Sequence, residues 1–257
     1  MIHYEVCGSG QALVLIHGYC EDLSIWAGLK KELSKNHLVI TLDLPGFGKS
    51  ELIDPTPSIE FYAKNVLEVL EELNIARCVM LGHSLGGYIT LSFAELFPNR
   101  LDGFGLIHST AYADNPEKKE NRTKTIDFLQ KNGMRAFSPT FVPALFADHK
   151  NPLLKDIVER LTKIVNGTRV EGASLAAQAM RDRPDRTHVL HKSSVPVLYV
   201  IGKSDKAIPL EDGIAQSSIA AISSAVFLKD VGHMSMYEAP TILENTIQSF
   251  INLCLKI

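Results

Sequence analysis

Cysteine is scarce in this chain: four in 257 residues, Cys7, Cys20, Cys78 and Cys254, far apart. They form no C-x-x-C pair and no Cys/His group at zinc spacing, so a disulfide scaffold or cysteine-built metal site is not expected, and the thiols read as reduced and structural. Long apolar runs are absent too. None approaches 18 residues, which leaves no membrane span in view. The start, Met1-Ile2-His3-Tyr4-Glu5, lacks a basic stretch leading into an apolar one, so no secretory leader is expected and a cytoplasmic location is. Net charge is only −3, too little to point to nucleic acid or an acidic membrane as partner. Repeats and low-complexity tracts are missing as well.

What is present is ordinary globular material. Hydrophobic residues make up 46% and charged residues 21%, and a chain of this length can bury about 70% or more of its unfolded surface. Charge is spread unevenly, however. Residues 112–194 hold 15 Lys or Arg against 10 Asp or Glu, a net of +5 that leaves −8 for the rest of a chain whose total is −3. Such a segment could steer anionic substrates, although solvated helical faces carry similar charge.

Apolar β-branched runs alternate with helical patterns through the first hundred residues, which points to a parallel sheet covered on both faces by helices. Strands are expected near 2–6, 12–17, 38–42, 77–82, 103–108, 196–201 and 225–229, and helices near 24–34, 59–73, 85–97, 210–220 and 240–254. After Ile107-His108-Ser109 the alternation stops. From Asn115 to Arg186 the chain turns helical and charged, broken by Pro116, Gly133, Pro139, Pro143, Pro152, Gly167 and Pro184, before strand character returns at Val195. The division expected is a core of 1–111 and 193–257 with a helical cap at 112–192, placed over the carboxyl ends of the strands.

Chemistry concentrates at those strand ends. Cys78-Val79-Met80-Leu81 runs into Gly82-His83-Ser84-Leu85-Gly86, a G-x-S-x-G sequence in strand-to-helix context that projects a serine hydroxyl clear of the backbone. Ser84 is thus the candidate nucleophile, against the blander reading of a serine that caps the following helix. A serine needs a base held by a third group. Asp205 follows the run Val197–Ile201, and His233 follows Ala225–Leu228 and Gly232. Asp205 could otherwise be a turn or capping aspartate, His233 a surface histidine, and Asp230 is the rival acid. Near the start, Ala12–Ile16 ends in His17-Gly18-Tyr19, where backbone amides can turn toward a nucleophile; Tyr19 and Leu85 N–H are the expected oxyanion donors. His17 is expected to shape that loop, His83 to point away from Ser84, and Asp43 to order its own glycine-rich turn. Gly46-Phe47-Gly48 lacks the spacing of a phosphate-binding loop.

The order Ser84, Asp205, His233, together with Leu42-Asp43-Leu44-Pro45-Gly46-Phe47-Gly48-Lys49-Ser50, Gly82–Gly87, Gly202-Lys203-Ser204-Asp205 with Ile208-Pro209, Gly232-His233, and His17-Gly18 with Trp26, resembles the α/β-hydrolase superfamily in its cap-bearing esterase, lactonase and C–C hydrolase branch. The resemblance spans nearly the whole chain except about 112–192. It implies an α/β fold with a mostly parallel twisted sheet flanked by helices and a helical cap inserted after the sixth strand. It further implies a serine hydrolase that cleaves carboxylic esters of small to medium acyl chain through an acyl-enzyme on Ser84. Lactonase, C–C hydrolase and perhydrolase chemistry use the same triad, and a ligand-sensing regulatory protein is the alternative of another class. Serine rather than aspartate at the elbow argues against dehalogenase or epoxide hydrolase chemistry. No cofactor and no metal are expected, and the partner is a small-molecule ester bound by a monomer or homodimer. Phe128, Met134, Phe137, Phe141, Leu145, Phe146, Met180 and Met234 are the residues expected to line the pocket, although apolar side chains at helical spacing usually just pack.

Overall fold

The computed structural model describes residues 1–52 and 58–256. Seven strands, β1 (Tyr4–Cys7), β2 (Ala12–Ile16), β3 (Leu38–Leu42), β4 (Cys78–His83), β5 (Leu101–Ile107), β6 (Val197–Gly202) and β7 (Ser223–Leu228), form one sheet in the order β1-β3-β2-β4-β5-β6-β7. All neighbouring pairs are parallel except β1 with β3. Every residue of β2, β4 and β6 is buried, the signature of strands covered on both faces.

Eleven α-helices are assigned among the described residues: α1 (Ala27–Leu33), α2 (Ile59–Glu72), α3 (Leu85–Leu96), α4 (Pro116–Asn132), α5 (Met134–Ala144), α6 (Lys155–Gly167), α7 (Val170–Asp182), α8 (Thr187–Lys192), α9 (Leu210–Ser217), α10 (Ser235–Glu238) and α11 (Pro240–Cys254). α2 illustrates the local logic. Ser58 accepts a hydrogen bond from Phe61 N, Glu60 sits in the first turn, and Ile59, Tyr62, Ala63, Val66, Val69 and Leu70 bury one face at three- and four-residue spacing.

α4 to α8 lie between β5 and β6, so the helical insertion leaves the sheet after its fifth strand and not the sixth expected. The five strands before it are those expected near 2–6, 12–17, 38–42, 77–82 and 103–108, and the first of them, β1, forms the sheet edge against β3. α4 packs on α7, and α5 on α6. α8 instead sits against α3, where the buried Arg186 just before it pairs with Glu60 and Glu95 of α2 and α3. No helix among the described residues is long and apolar enough to cross a membrane.

Parallel pairing aligns the strand ends. His83 lies level with Ile107, Ile107 with Val200, and Gly202 with Leu228, so the residues just beyond β4, β5, β6 and β7 gather along one edge of the sheet.

Candidate active site

Ser84 stands on the turn between β4 and α3 with φ 51° and ψ −113°, a conformation costly for any residue but glycine. The flanking glycines permit it. A Cβ on Gly82 would lie 2.1 Å from Gly86 O, and one on Gly86 would lie 2.4 Å from Ile16 O. Hydrogen bonds from β5 and the loop after it hold the strained residue: Ser84 N donates to Ile107 O at 2.9 Å, and Ser109 Oγ donates to Ser84 O at 2.7 Å, beside the bond that Ser84 O accepts from Gly87 N. The Ser84 side chain makes no capping bond to α3, so the simpler reading of a helix-capping serine fails.

Asp205 and His233 come together across 28 residues. His233 Nδ1 donates to Asp205 Oδ2 at 2.8 Å, while Asp205 Oδ1 accepts from Ala207 N at 2.8 Å and Ile208 N at 3.2 Å. The aspartate therefore orders its own turn and grips the imidazole with its other oxygen. Burial alone would raise the Asp205 pKa, but His233 and His108 hold the carboxyl well below the usual range. Burial likewise opposes a charged His233, and Asp205 more than offsets it, raising the imidazole above its ordinary value. Asp230 is out of this cluster: its carboxylate is exposed, 3.8 Å from Lys229 Nζ.

A third imidazole, missed in the sequence, backs the pair. His108, just past β5 at φ 50°, is fully buried with Nδ1 3.3 Å from Asp205 Oδ2. Burial is the main cause that pushes its pKa down to about 4, so the ring is neutral near pH 7. His108, Asp205 and His233 bring one donor atom each within 4.8 Å of one another, and the hydrogen bond between His233 and Asp205 turns two of these groups on each other.

The loop carrying His233 is clamped from several sides. His233 N donates to Leu145 O at 2.7 Å, and Glu238 accepts from Gly232 N, Met234 N and Ala147 N. His83, turned away from Ser84, bridges His233 O at 2.8 Å and the buried Glu21 carboxylate at 2.9 Å. Glu21 in turn accepts from Gly18 N at 2.6 Å. His17 shapes the same loop, with Nδ1 2.7 Å from Gly18 O and Nε2 accepting from Leu44 N at 2.9 Å. Asp43 orders the glycine-rich turn by accepting from Leu23 N and Lys49 N. Among the described residues the amides of Tyr19 and Leu85 have no hydrogen-bond partner, which leaves both free to donate.

Ser84 and His233 line one cavity of about 80 Å³. No hydrogen bond joins their side chains among the described residues; catalytic contacts often tighten only with substrate bound. Tyr19, Phe141, Leu145 and Met180 line the cavity as expected or beside expectation, and Tyr88, Arg122, Ala207 and Ile208 join them unforeseen. Five residues expected in the lining are elsewhere. Phe128 is 41% exposed, Met134, Phe146 and Met234 are buried in packing, and Phe137 stacks on Phe141 at 4.8 Å behind the wall. Met134 and Phe137 pack within the helical layer, as apolar side chains at helical spacing usually do. Cavities several times larger exist, one of about 340 Å³ lined by Asp43, Lys49, Lys163 and Arg169, but neither Ser84 nor His233 reaches it.

A family model for the alpha/beta hydrolase fold matches residues 11–240, and the chain belongs to that family. Among solved structures, it is similar to a thermophilic esterase from Thermogutta terrifontis with malate bound (28% identity, TM-score 0.94, 98% of this chain and 93% of that one). It is also similar to an enol-lactonase from Burkholderia xenovorans LB400 (25% identity, TM-score 0.89, 98% and 96% covered). Among curated relatives, the acetyltransferase component of an acetoin cleaving system from Pseudomonas putida is 30% identical over 254 residues; the match takes in 96% of this chain but only 65% of that protein. The 2-hydroxy-6-oxononadienedioate/2-hydroxy-6-oxononatrienedioate hydrolase of Escherichia coli is 27% identical over 272 residues, covering 97% of this chain and 90% of the relative. The esterase, the enol-lactonase and the dienedioate hydrolase are hydrolases by name, and the acetyltransferase component is not.

Proposed function

We propose that this chain is a cofactor-independent serine hydrolase that cleaves carboxylic esters of small to medium acyl chain through an acyl-enzyme on Ser84. The observation that carries the reading is the Asp205–His233 hydrogen bond ending in the same cavity as a strained serine whose side chain caps nothing. In this scheme His233 takes the Ser84 proton as Oγ attacks the carbonyl, then gives it to the leaving alcohol. Asp205 holds the tautomer and stabilises the imidazolium, and the Tyr19 and Leu85 amides receive the oxyanion. A water activated by His233 then releases the acid. The helices α4 to α7 act as a cap that keeps the pocket short.

The enol-lactonase and dienedioate hydrolase relatives make lactone and C–C bond hydrolysis the second reading, because the same three side chains serve both. Turnover of p-nitrophenyl butyrate tests the first: many turnovers per site, abolished in Ser84→Ala, support an esterase. At most one turnover per site would indicate a ligand sensor instead.

A further inference from the structure

We propose that the acyl part of the substrate carries a carboxylate and that Arg122 of α4 receives it inside the cavity beside Ser84. The inference rests on the reading of Ser84 as the nucleophile and names the substrate class of that site.

Arg122 lines the cavity half-buried, and its Nε donates to Asp114 Oδ2 at 3.2 Å. Neither Nη atom makes a hydrogen bond among the described residues. Arg183, behind it, is fully used: its Nη atoms donate to Met180 O at 2.6 Å and Tyr112 O at 3.0 Å, Nη1 lies 2.9 Å from Asp114 Oδ1, and its guanidinium stacks 3.8 Å over the Tyr88 ring. One buried carboxylate thus faces two guanidiniums, leaving one positive charge in excess.

No carboxylate other than Asp114 pairs with Arg122 among the described residues. Glu21 is engaged by Gly18 N and His83, and Asp205 by His233 and the turn amides. A half-desolvated guanidinium with both terminal nitrogens free matches the planar, two-oxygen geometry of a carboxylate. The apolar remainder of the wall, Phe141, Leu145 and Met180, is a poor host for a strongly hydrated phosphate dianion but suits a short methylene spacer. At about 80 Å³ the cavity brings the scissile carbonyl and the anion within one short chain. Hydrolysis would consume one water and release an alcohol, a dicarboxylate and a proton.

Monomethyl glutarate and its neutral counterpart dimethyl glutarate test this in a pH-stat. The wild-type protein is expected to favour the monoester in kcat/KM by about tenfold or more, and Arg122→Leu to reduce that ratio by about 30-fold, mostly through KM. Arg122→Lys, which restores the charge but not the fork, should recover part of the ratio; a mere prop between α4 and the Asp114 loop would leave the ratio untouched by either change. Calorimetric titration of monomethyl glutarate into Ser84→Ala and Ser84→Ala/Arg122→Leu gives a second readout, with binding at least about tenfold weaker in the double variant. Binding through Arg122 without Ser84-dependent turnover would keep this proposal and remove the esterase reading. Ser84-dependent turnover with no preference for the monoester, or equal binding in the two variants, would overturn the proposal and leave the esterase reading intact.

Discussion

α3 and α4 both border the cavity, and they could hardly be built more differently. Ten of the twelve residues of α3 are buried, whereas α4 buries only Leu129 along 17 residues. α3 begins after Ser84 because β4 ends there, and a side chain on its Gly86 would collide with the backbone of Ile16 and one on Gly87 with Ser109. α4 starts with a capping bond, Lys118 N donating to Asn115 Oδ1 at 2.8 Å, and packs closely on α7 and α5 without burying more than that one side chain. On the proposed function, the sheet edge fixes where bonds are broken, while the helical layer decides what is admitted. Changes in the first should cost orders of magnitude in rate, and changes in the second should redistribute specificity.

The largest effect belongs to the elbow. Ser84→Ala should lower kcat by about 10³-fold or more while leaving the melting temperature nearly unchanged, since the hydroxyl caps nothing. Ser84→Gly should be equally inactive but more stable than Ser84→Ala by about 1 kcal/mol, because glycine relieves the positive φ. Retained activity in either variant would erase the contrast between the two helices.

Next comes the acid. Asp205→Asn should reduce kcat by about 10³- to 10⁴-fold, and Asp230→Asn by less than about tenfold, since only Asp205 touches the imidazole. The pH profile carries the same contrast with a definite sign. His233 must be neutral to accept a proton and its pKa is raised, so activity should rise through a limb lying alkaline of the ordinary histidine value of about 6.5. With the carboxylate gone in Asp205→Asn, the residual activity should show that limb moved to lower pH. A limb that stays put would disconnect Asp205 from the base.

Glu238 is expected to have an intermediate effect. It accepts three backbone N–H groups, two flanking His233 and one from Ala147 after α5, so it ties the base to the helical layer. Glu238→Ala should cost about 1–3 kcal/mol of stability by denaturant unfolding and about ten- to a hundredfold in kcat. Loss of stability with unchanged kcat would confine it to a structural role.

What could be read from the chain follows the same division. Strand ends, the Ser84 turn and the meeting of Asp205 with His233 were legible because local rules enforce them: a β-branched run must be covered, a tight turn requires glycine, and parallel strands bring their carboxyl ends together. Ser84, Asp205 and His233, 149 residues apart in sequence, needed only that logic. His108 and Glu21 were not legible, since their importance depends on which neighbour each meets after β5 and β2 are placed. The pocket was least legible of all. Phe128 and Phe141 look alike in sequence, yet one is exposed and the other lines the cavity, because helix rotation and packing partners, α4 on α7 and α5 on α6, are set by tertiary contacts alone. Arg122 was hidden among the 15 basic residues of its segment.

The smallest expected effect concerns the helical layer itself. Phe141 of α5 stands in the cavity wall with its ring edge-on to Tyr19 at 5.9 Å, and Phe137 stacks behind it. At about 80 Å³ the space lies well below that of sites built for large ligands, roughly 300 Å³ and up. A p-nitrophenyl ester series from acetate to palmitate should accordingly peak at or below about eight carbons, each methylene that fits adding up to about 0.8 kcal/mol. Phe141→Ala should move the peak by about two carbons, with kcat on the shortest ester changed by less than about tenfold. The corresponding truncation on the sheet side, Tyr88→Ala in α3, removes the ring under Arg183 and should reduce activity on every chain length together. A peak at palmitate, or a Phe141→Ala profile that falls uniformly while Tyr88→Ala shifts the optimum, would reverse the roles assigned to the two helices.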